Sequence, residues 1–423
     1  MSPDRKAAVV IAALALAVSA CASDKATGGA APATATGGDG VKTGAGVTET
    51  TITLSLLTDL TGPYASLGKS VTQAQQMYFE QLNTAGGICG RTIETVVRDH
   101  GYDVQKAMAA YAEVAPRTAA IPQFIGSPMV TALKEKITAD KILTLPNAWA
   151  TSLLGSDAIQ VTGTTYDVDM INAVDFLTKE KGLKPGDKIG HLYFEGDYGE
   201  SALNGSKFAS QKVGLELVEQ KIKATDQDMT AQATAFKKAG VNAILVSVGP
   251  RQAASLVGVA LASGLDVPFV GSNSAYSPLL LETPAAPALL KDYYVATAGA
   301  PISAPLPVYE KLIKDYEAKF PGQPLDSGVA SGYTQAVIIG DTLKAACAAK
   351  DLSREGIIKA HRTQTAWDGG FGGTPQDFSV YDKPASLSTY IVKPDKAAIG
   401  GSVIFKEHAI SDLAKEYQVP PPA

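Results

Sequence analysis

From Asp167 onward the chain repeats one pattern: a short apolar strand, a turn and an amphipathic helix. Strands are expected to start near Lys188, Leu215, Asn242, Pro268 and Asp292, about 25 residues apart, which is the length of a strand plus a crossover helix. Helices fit between them at 202–213, 230–239 and 253–262, with a shorter one near 278–281. This alternation builds a parallel sheet with helices on both faces, because the crossovers are right-handed. Ile244-Leu245-Val246 is an unbroken apolar run, as a central strand buried on both faces requires. A similar pattern opens at 51–56, where apolar residues alternate with period two, and continues with Val71, Ala74, Tyr78 and Leu82 at helical spacing. After Ala300 longer helices are expected at 308–319, 329–349 and 354–361. A glycine-rich turn or crossing at 369–373 and two last strands at 378–381 and 387–392 follow. The fold class is therefore α/β, and 423 residues fit two domains better than one.

The first 20 residues read as a signal peptide. Arg5 and Lys6 precede an apolar stretch, 7–20, that is too short to span a bilayer and ends in small residues. Val18-Ser19-Ala20-Cys21 resembles the lipobox of bacterial lipoproteins, which implies that Cys21 becomes a lipid-modified N-terminus; the alternative is a secretory peptide with a chance cysteine. Residues 21–49 are rich in Ala, Gly and Thr and are expected to be a flexible tether. Either way the mature chain works outside the cytoplasm, held to the bacterial membrane by lipid if Cys21 is modified. In that compartment Cys89 and Cys347 are expected to form a disulfide. A net charge of −5 without a basic run sets nucleic-acid binding aside.

The residues point away from catalysis. There is no G-x-S-x-G elbow, no G-x-x-x-x-G-K-[ST] loop and no H-E-x-x-H helix. His100, His191, His361 and His408 stand alone, without metal-ligand spacing, so neither a metal nor a cofactor is expected. The informative signal is positional, because ligands of parallel α/β sheets bind beyond the carboxyl ends of the strands. Those ends read Thr61-Gly62-Pro63-Tyr64, Gly126-Ser127-Pro128, Pro146-Asn147-Ala148-Trp149, Glu195-Gly196-Asp197-Tyr198, Gly249-Pro250-Arg251 and Ser272-Asn273-Ser274. Aromatic rings, hydroxyls and amides suit a small molecule held by ring faces and a few directed hydrogen bonds. Ser127 is the N-cap of the expected helix that follows, where unpaired N–H groups and the helix dipole favour a carboxylate. The plain alternative is that Ser127 only caps.

Several motifs together carry a family resemblance. Thr61-Gly62-Pro63, Asn83-Thr84-Ala85-Gly86-Gly87-Ile88 with Gly90-Arg91, Arg98-Asp99, Ile125-Gly126-Ser127 and Asp197-Tyr198-Gly199 occur in the order found in the leucine/isoleucine/valine-type substrate-binding proteins of ABC transporters. The chain resembles that family from about Thr50 to Val392. The resemblance implies two α/β lobes joined by three hinge crossings: lobe one from 50–163 plus 299–373, lobe two from 164–298 plus 374–405, and a tail at 406–423. It implies that Ser127 binds a ligand carboxylate and that Asn147, Ala148 and Trp149 border it. Tyr198 would pack on the ligand from the second lobe, and Tyr64 would border its side chain. Gly249 stands where a tyrosine often sits, and Asn273 where amino-acid binders place a glutamate for the ammonium group. An asparagine cannot neutralise a buried ammonium. An amide or an aromatic acid is therefore as compatible as an amino acid.

The expectation is a monomeric, lipid-anchored solute-binding protein that closes on its ligand and delivers it to an ABC permease. The rival is the same fold used as a ligand-sensing module for a membrane receptor. A hydrolase using Ser127 would need a base, and none is evident.

Overall fold

The computed structural model describes residues 34–420. The expected signal peptide, the lipidation site Cys21 and the first part of the expected tether lie outside the described residues. Chain order begins with two short strands, β1 (Ala35–Thr36) and β2 (Lys42–Thr43), which pair with each other. Then follow β3 (Thr51–Thr58), α1 (Ala65–Thr84), β4 (Thr92–Asp99), α2 (Val104–Val114), β5 (Ala120–Ile125), α3 (Ser127–Asp140) and β6 (Leu143–Asn147). The last four strands form an all-parallel sheet in the order β4-β3-β5-β6. Alternation within β3 is what buries Ile52, Leu54 and Leu56 completely.

The chain then crosses to a second lobe through α4 (Tyr166–Glu180), β7 (Lys188–Phe194), α5 (Asp197–Val213), β8 (Glu216–Ile222), α6 (Thr230–Ala239), β9 (Ala243–Ser247), α7 (Pro250–Ala262), β10 (Phe269–Ser272), α8 (Ala286–Asp292) and β11 (Tyr293–Thr297). It returns through α9 (Pro307–Lys319), α10 (Ser327–Ala348), β12 (Asp351–Leu352) and α11 (Arg354–His361), with α10 lying along α1. A third crossing leads to β13 (Thr389–Pro394), β14 (Ser402–Ala409) and α12 (Asp412–Glu416). The second sheet has seven strands in the order β14-β13-β11-β10-β9-β7-β8. β9, carrying the unbroken apolar run, is interior and buried along its whole length. The fold is two α/β lobes joined by three crossings.

Four expectations change. Residues 34–49 are not a free tether: β2 pairs in parallel with β12, Val41 and Val47 are buried, and the fully buried Arg91 side chain bonds Asp39 Oδ2 at 2.7 Å and the Thr48 carbonyl at 2.7 Å. Two valines and a backbone ladder suffice where average composition suggests nothing to bury. The segment 406–423 is not a loose tail from its start. β14 runs to Ala409, the Ser411 N–H donates to Asn172 Oδ1 at 3.1 Å, and Ala414 is buried. Residues 378–381 form no strand; Arg362 donates to the carbonyl of Phe378 at 2.9 Å, and the Phe378 ring stacks on His361 at 4.8 Å. A guanidinium there supplies what a ladder partner would. Finally, β14 is an added strand: Val403-Ile404-Phe405 run together and Lys406 to Ala409 are half-buried or exposed, so no period-two alternation marks it. Cys89 and Cys347 are joined by a disulfide, with their Cα atoms 5.9 Å apart, beside the same corner where β2 meets β12.

Candidate functional site

The carboxyl end of β5 turns into α3 at Gly126, whose φ of 97° is left-handed. A Cβ there would lie 2.9 Å from the Tyr102 ring and 2.1 Å from the Met129 side chain, so only glycine permits this turn. Gly126, not Ser127, occupies the cap position, and no side chain caps the helix. That corrects the expected capping role: the Ser127 hydroxyl is fully buried with no hydrogen-bond partner. Next to it, at the end of β6, both amide atoms of Asn147 are likewise buried and unpartnered.

These groups open into a cavity of about 210 Å³ between the lobes. Tyr64, Ser127, Asn147, Trp149, Tyr198 and Asn273 all line it. Two expected residues do not. Ala148, just past the end of β6, is completely buried and absent from the wall, although its neighbours Asn147 and Trp149 line it. Gly249 sits at the start of α7, where an added Cβ would lie 3.7 Å from Pro63 of the other lobe; it belongs to the seam between lobes, not the cavity. On the same seam an added Cβ at Gly196 would lie 3.6 Å from Pro128. The lobes thus meet across the mouth of the cavity.

The ring-bearing wall joins both lobes. Tyr64 lies 5.1 Å from Tyr102, Trp149 5.9 Å from Tyr166, and Tyr166 4.3 Å from Tyr198, measured between ring centroids. The indole N–H of Trp149 is committed to the Thr162 carbonyl at 2.9 Å, so Trp149 offers its ring. Tyr198 Oη pairs with Ser272 Oγ at 2.6 Å and Tyr166 Oη with Ser274 Oγ at 3.1 Å. The Tyr64 hydroxyl is buried without a well-formed bond, beside that of Tyr102. Burial raises all four phenols above their ordinary range, which keeps them as O–H donors. Tyr102 and Tyr166 were missed by sequence reasoning. The signal for Tyr102 was available, since it follows the end of β4 as the other loops follow theirs.

Charge is nearly absent from this wall. Asp368, an exposed residue, is the single ionisable acid or base of Asp, Glu, Lys, Arg or His type among the described lining residues. Asp59 does not substitute for an ammonium partner: its carboxylate accepts from the N–H groups of Gly62 at 2.5 Å and Tyr64 at 2.9 Å, and it holds the first turn. Asp197 lies outside the lining as well. Val295, Ile302, Ala330, Phe371 and Val392 give the wall apolar surface, interspersed with hydroxyls and amides such as Ser331, Thr334 and Gln376. Ser127 Oγ has no base within hydrogen-bond reach, so the arrangement that activates a serine nucleophile is not formed.

The family model described as periplasmic binding protein matches residues 51–398. A curated relative from Pseudomonas aeruginosa, a leucine-, isoleucine-, valine-, threonine- and alanine-binding protein, is 25% identical over 230 residues, or 52% of this chain. The chain spans 60% of the length of that relative. Among solved structures, a fatty acid ABC transporter substrate-binding protein from Thermomonospora curvata is 58% identical, with a TM-score of 0.91 over 92% of this chain and 100% of that one. A branched-chain amino acid ABC transporter protein from Thermus thermophilus with bound valine is 20% identical, with a TM-score of 0.77 over 87% of this chain and 99% of that one. At that identity only the fold is shared.

Proposed function

The chain belongs to the periplasmic binding protein family and acts outside the cytoplasm on a small ligand; from that premise we propose that its ligand is a fatty acid. The observation that carries this is the cavity's uneven chemistry. Three polar atoms without protein partners, Ser127 Oγ and both amide atoms of Asn147, sit together at the ends of β5 and β6, and Val295, Ile302, Ala330, Phe371 and Val392 supply apolar surface elsewhere in the same wall. Donors at Ser127, Asn147 and the start of α3 suit a carboxylate, which takes several hydrogen bonds and is favoured by the helix dipole. Trp149, Tyr198 and Tyr64 pack around the head, and Asn273 offers an amide where an ammonium would need an acid. With no buried acid in the wall, a zwitterionic amino acid would leave its ammonium unpaired. The name of the Thermomonospora curvata relative points the same way.

Binding proceeds by hinge closure, in which a ligand touching both lobes favours the state that lets it do so. Lipid on Cys21 holds the protein at the membrane, and the closed form passes its ligand to an ABC permease as a monomer. The test is calorimetric titration of delipidated protein with palmitate, phenylacetate, valine and leucine, with mass spectrometry of whatever copurifies. Palmitate binding far more tightly than valine supports the reading. Valine or leucine binding at least as tightly as palmitate overturns it.

A further inference from the structure

We propose that the acyl tail runs past the hinge, beside all three crossings, and that Ala300, Ile302, Ala330 and Phe371 set the chain length accepted. This rests on the fatty-acid reading above and adds where the tail goes. The cavity is not confined to the strand ends. It is lined by Thr162 and Gly163 of the first crossing, Ala298 to Ala300 of the second, and Thr374, Gln376 and Ser386 of the third. α10 contributes Ala330, and the glycine-rich stretch contributes Phe371 and Gly372.

The two ends differ in what they offer. Among the described lining residues, every buried side-chain polar atom left without a partner belongs to Tyr64, Ser127 or Asn147. At the hinge several of the polar side chains are committed within the protein. Tyr309 Oη donates to the Ala300 carbonyl at 2.9 Å, and Gln335 Nε2 to the Pro146 carbonyl at 3.0 Å. Thr334 Oγ1 donates to the Ala330 carbonyl at 2.8 Å, and Gln376 Oε1 accepts from the Gly163 N–H at 2.7 Å. Between these committed groups, Ala300, Ile302, Ala330 and Phe371 offer hydrocarbon to the lumen, where a polar ligand group would lose water without gaining a bond.

Small residues are what make this passage. An added Cβ at Gly163 would lie 2.6 Å from the Ala298 Cβ, and one at Gly372 would lie 3.2 Å from the Ala300 Cβ. The crossings therefore approach one another as closely as their backbones allow. Phe371 is held in place by rings on three sides: Trp367 stacks on it at 6.1 Å, and Tyr309 and Tyr333 lie at 5.9 and 6.2 Å. A wall so braced gives a definite end to a chain, which a loose loop would not. A tail in this position touches the segments that bend during closure, so chain length enters hinge closure directly. An amino acid held at Ser127 would not reach them.

The test is the affinity of delipidated protein for straight-chain acids from octanoate to stearate. For the wild type, affinity rises about fourfold per methylene until the passage is full. Ala330→Leu is expected to stop that rise at a shorter chain while octanoate affinity stays within about twofold, and Ile302→Ala to extend the rise to a longer chain. If Ala330→Leu lowers the melting temperature of the free protein, Ile302→Ala carries the test alone. Acids binding all proteins with one unchanged length profile would overturn the tail placement and leave the fatty-acid reading standing. A wild type that binds no acid of any length would overturn both.

Discussion

Asn147→Ala separates a head-group clamp from a merely polar wall. Asn147 closes β6, and its carbonyl accepts from the Gly126 N–H at 3.4 Å, a backbone bond that truncation leaves in place. The side-chain amide makes no bond within the protein, so its removal orphans no protein group. The change is then read almost wholly in the ligand. A hydrogen bond to a charged group is worth about 1.5–3 kcal/mol, against about 0.5–1.5 kcal/mol between neutral partners. At about 1.4 kcal/mol per factor of ten, palmitate should bind about 10- to 100-fold more weakly. The methyl ester of palmitate, which carries no charge, should lose about 2- to 10-fold. Titration calorimetry of both ligands against both proteins forms a cycle whose difference isolates the charged head. The heat-capacity change should be the same in wild type and variant, since the buried apolar area is untouched. Equal losses for acid and ester, or no loss for either, would show that Asn147 does not face the carboxylate.

Three further outcomes follow from the geometry. Gly249→Trp, with an ordinary φ of −74° and Pro63 across the seam, should wedge the lobes apart; palmitate affinity should fall about tenfold or more, and scattering should show less compaction on binding. Unchanged affinity and compaction would deny closure at this seam. Burial raises the Asp169 carboxyl from its ordinary 3.8 to about 7, with one oxygen left unpartnered. A raised native value favours the protonated folded state, so this group's stabilisation is complete below about pH 4 and is lost as pH rises through about 7. Over that window Asp169→Asn should flatten the fall in urea stability by up to about 1.4 kcal/mol per pH unit, and an unchanged slope would contradict the argument. The Cys89–Cys347 bridge closes a loop with a sequence separation of 258. Chain entropy puts its removal in Cys89→Ser/Cys347→Ser at about 5 kcal/mol, read by urea unfolding, and a loss under about 1 kcal/mol would refute that accounting.

The class of fold was legible in residues alone, because strand and helix periodicities are local. Lys188, Asn242 and Pro268 mark strand starts through the alternation of apolar runs with helical stripes, and the Ile244-Leu245-Val246 run announces an interior strand with no knowledge of its neighbours. Where local pattern and partner disagreed, the residues misled. Val41 and Val47 look like part of a tether until β12, about 300 residues later, supplies a ladder. Residues 378–381 look like a strand until Arg362 occupies their carbonyls. Positional reasoning about strand ends named Ser127, Asn147, Trp149, Tyr198, Asn273 and Tyr64, all of which line the cavity. It also admitted Ala148 and Gly249, because a loop's sequence does not tell which way each residue faces.

Sequence by itself determined two α/β lobes and a set of ring-bearing and polar strand ends that come together at one cavity. Tertiary structure decided the rest of the cavity. Ala300, Ile302, Ala330 and Phe371 carry no chemical signal in the chain; they matter only because three crossings and α10 come together around one lumen. Apolar walls are recognised by what they enclose, and enclosure is a property of distant segments meeting.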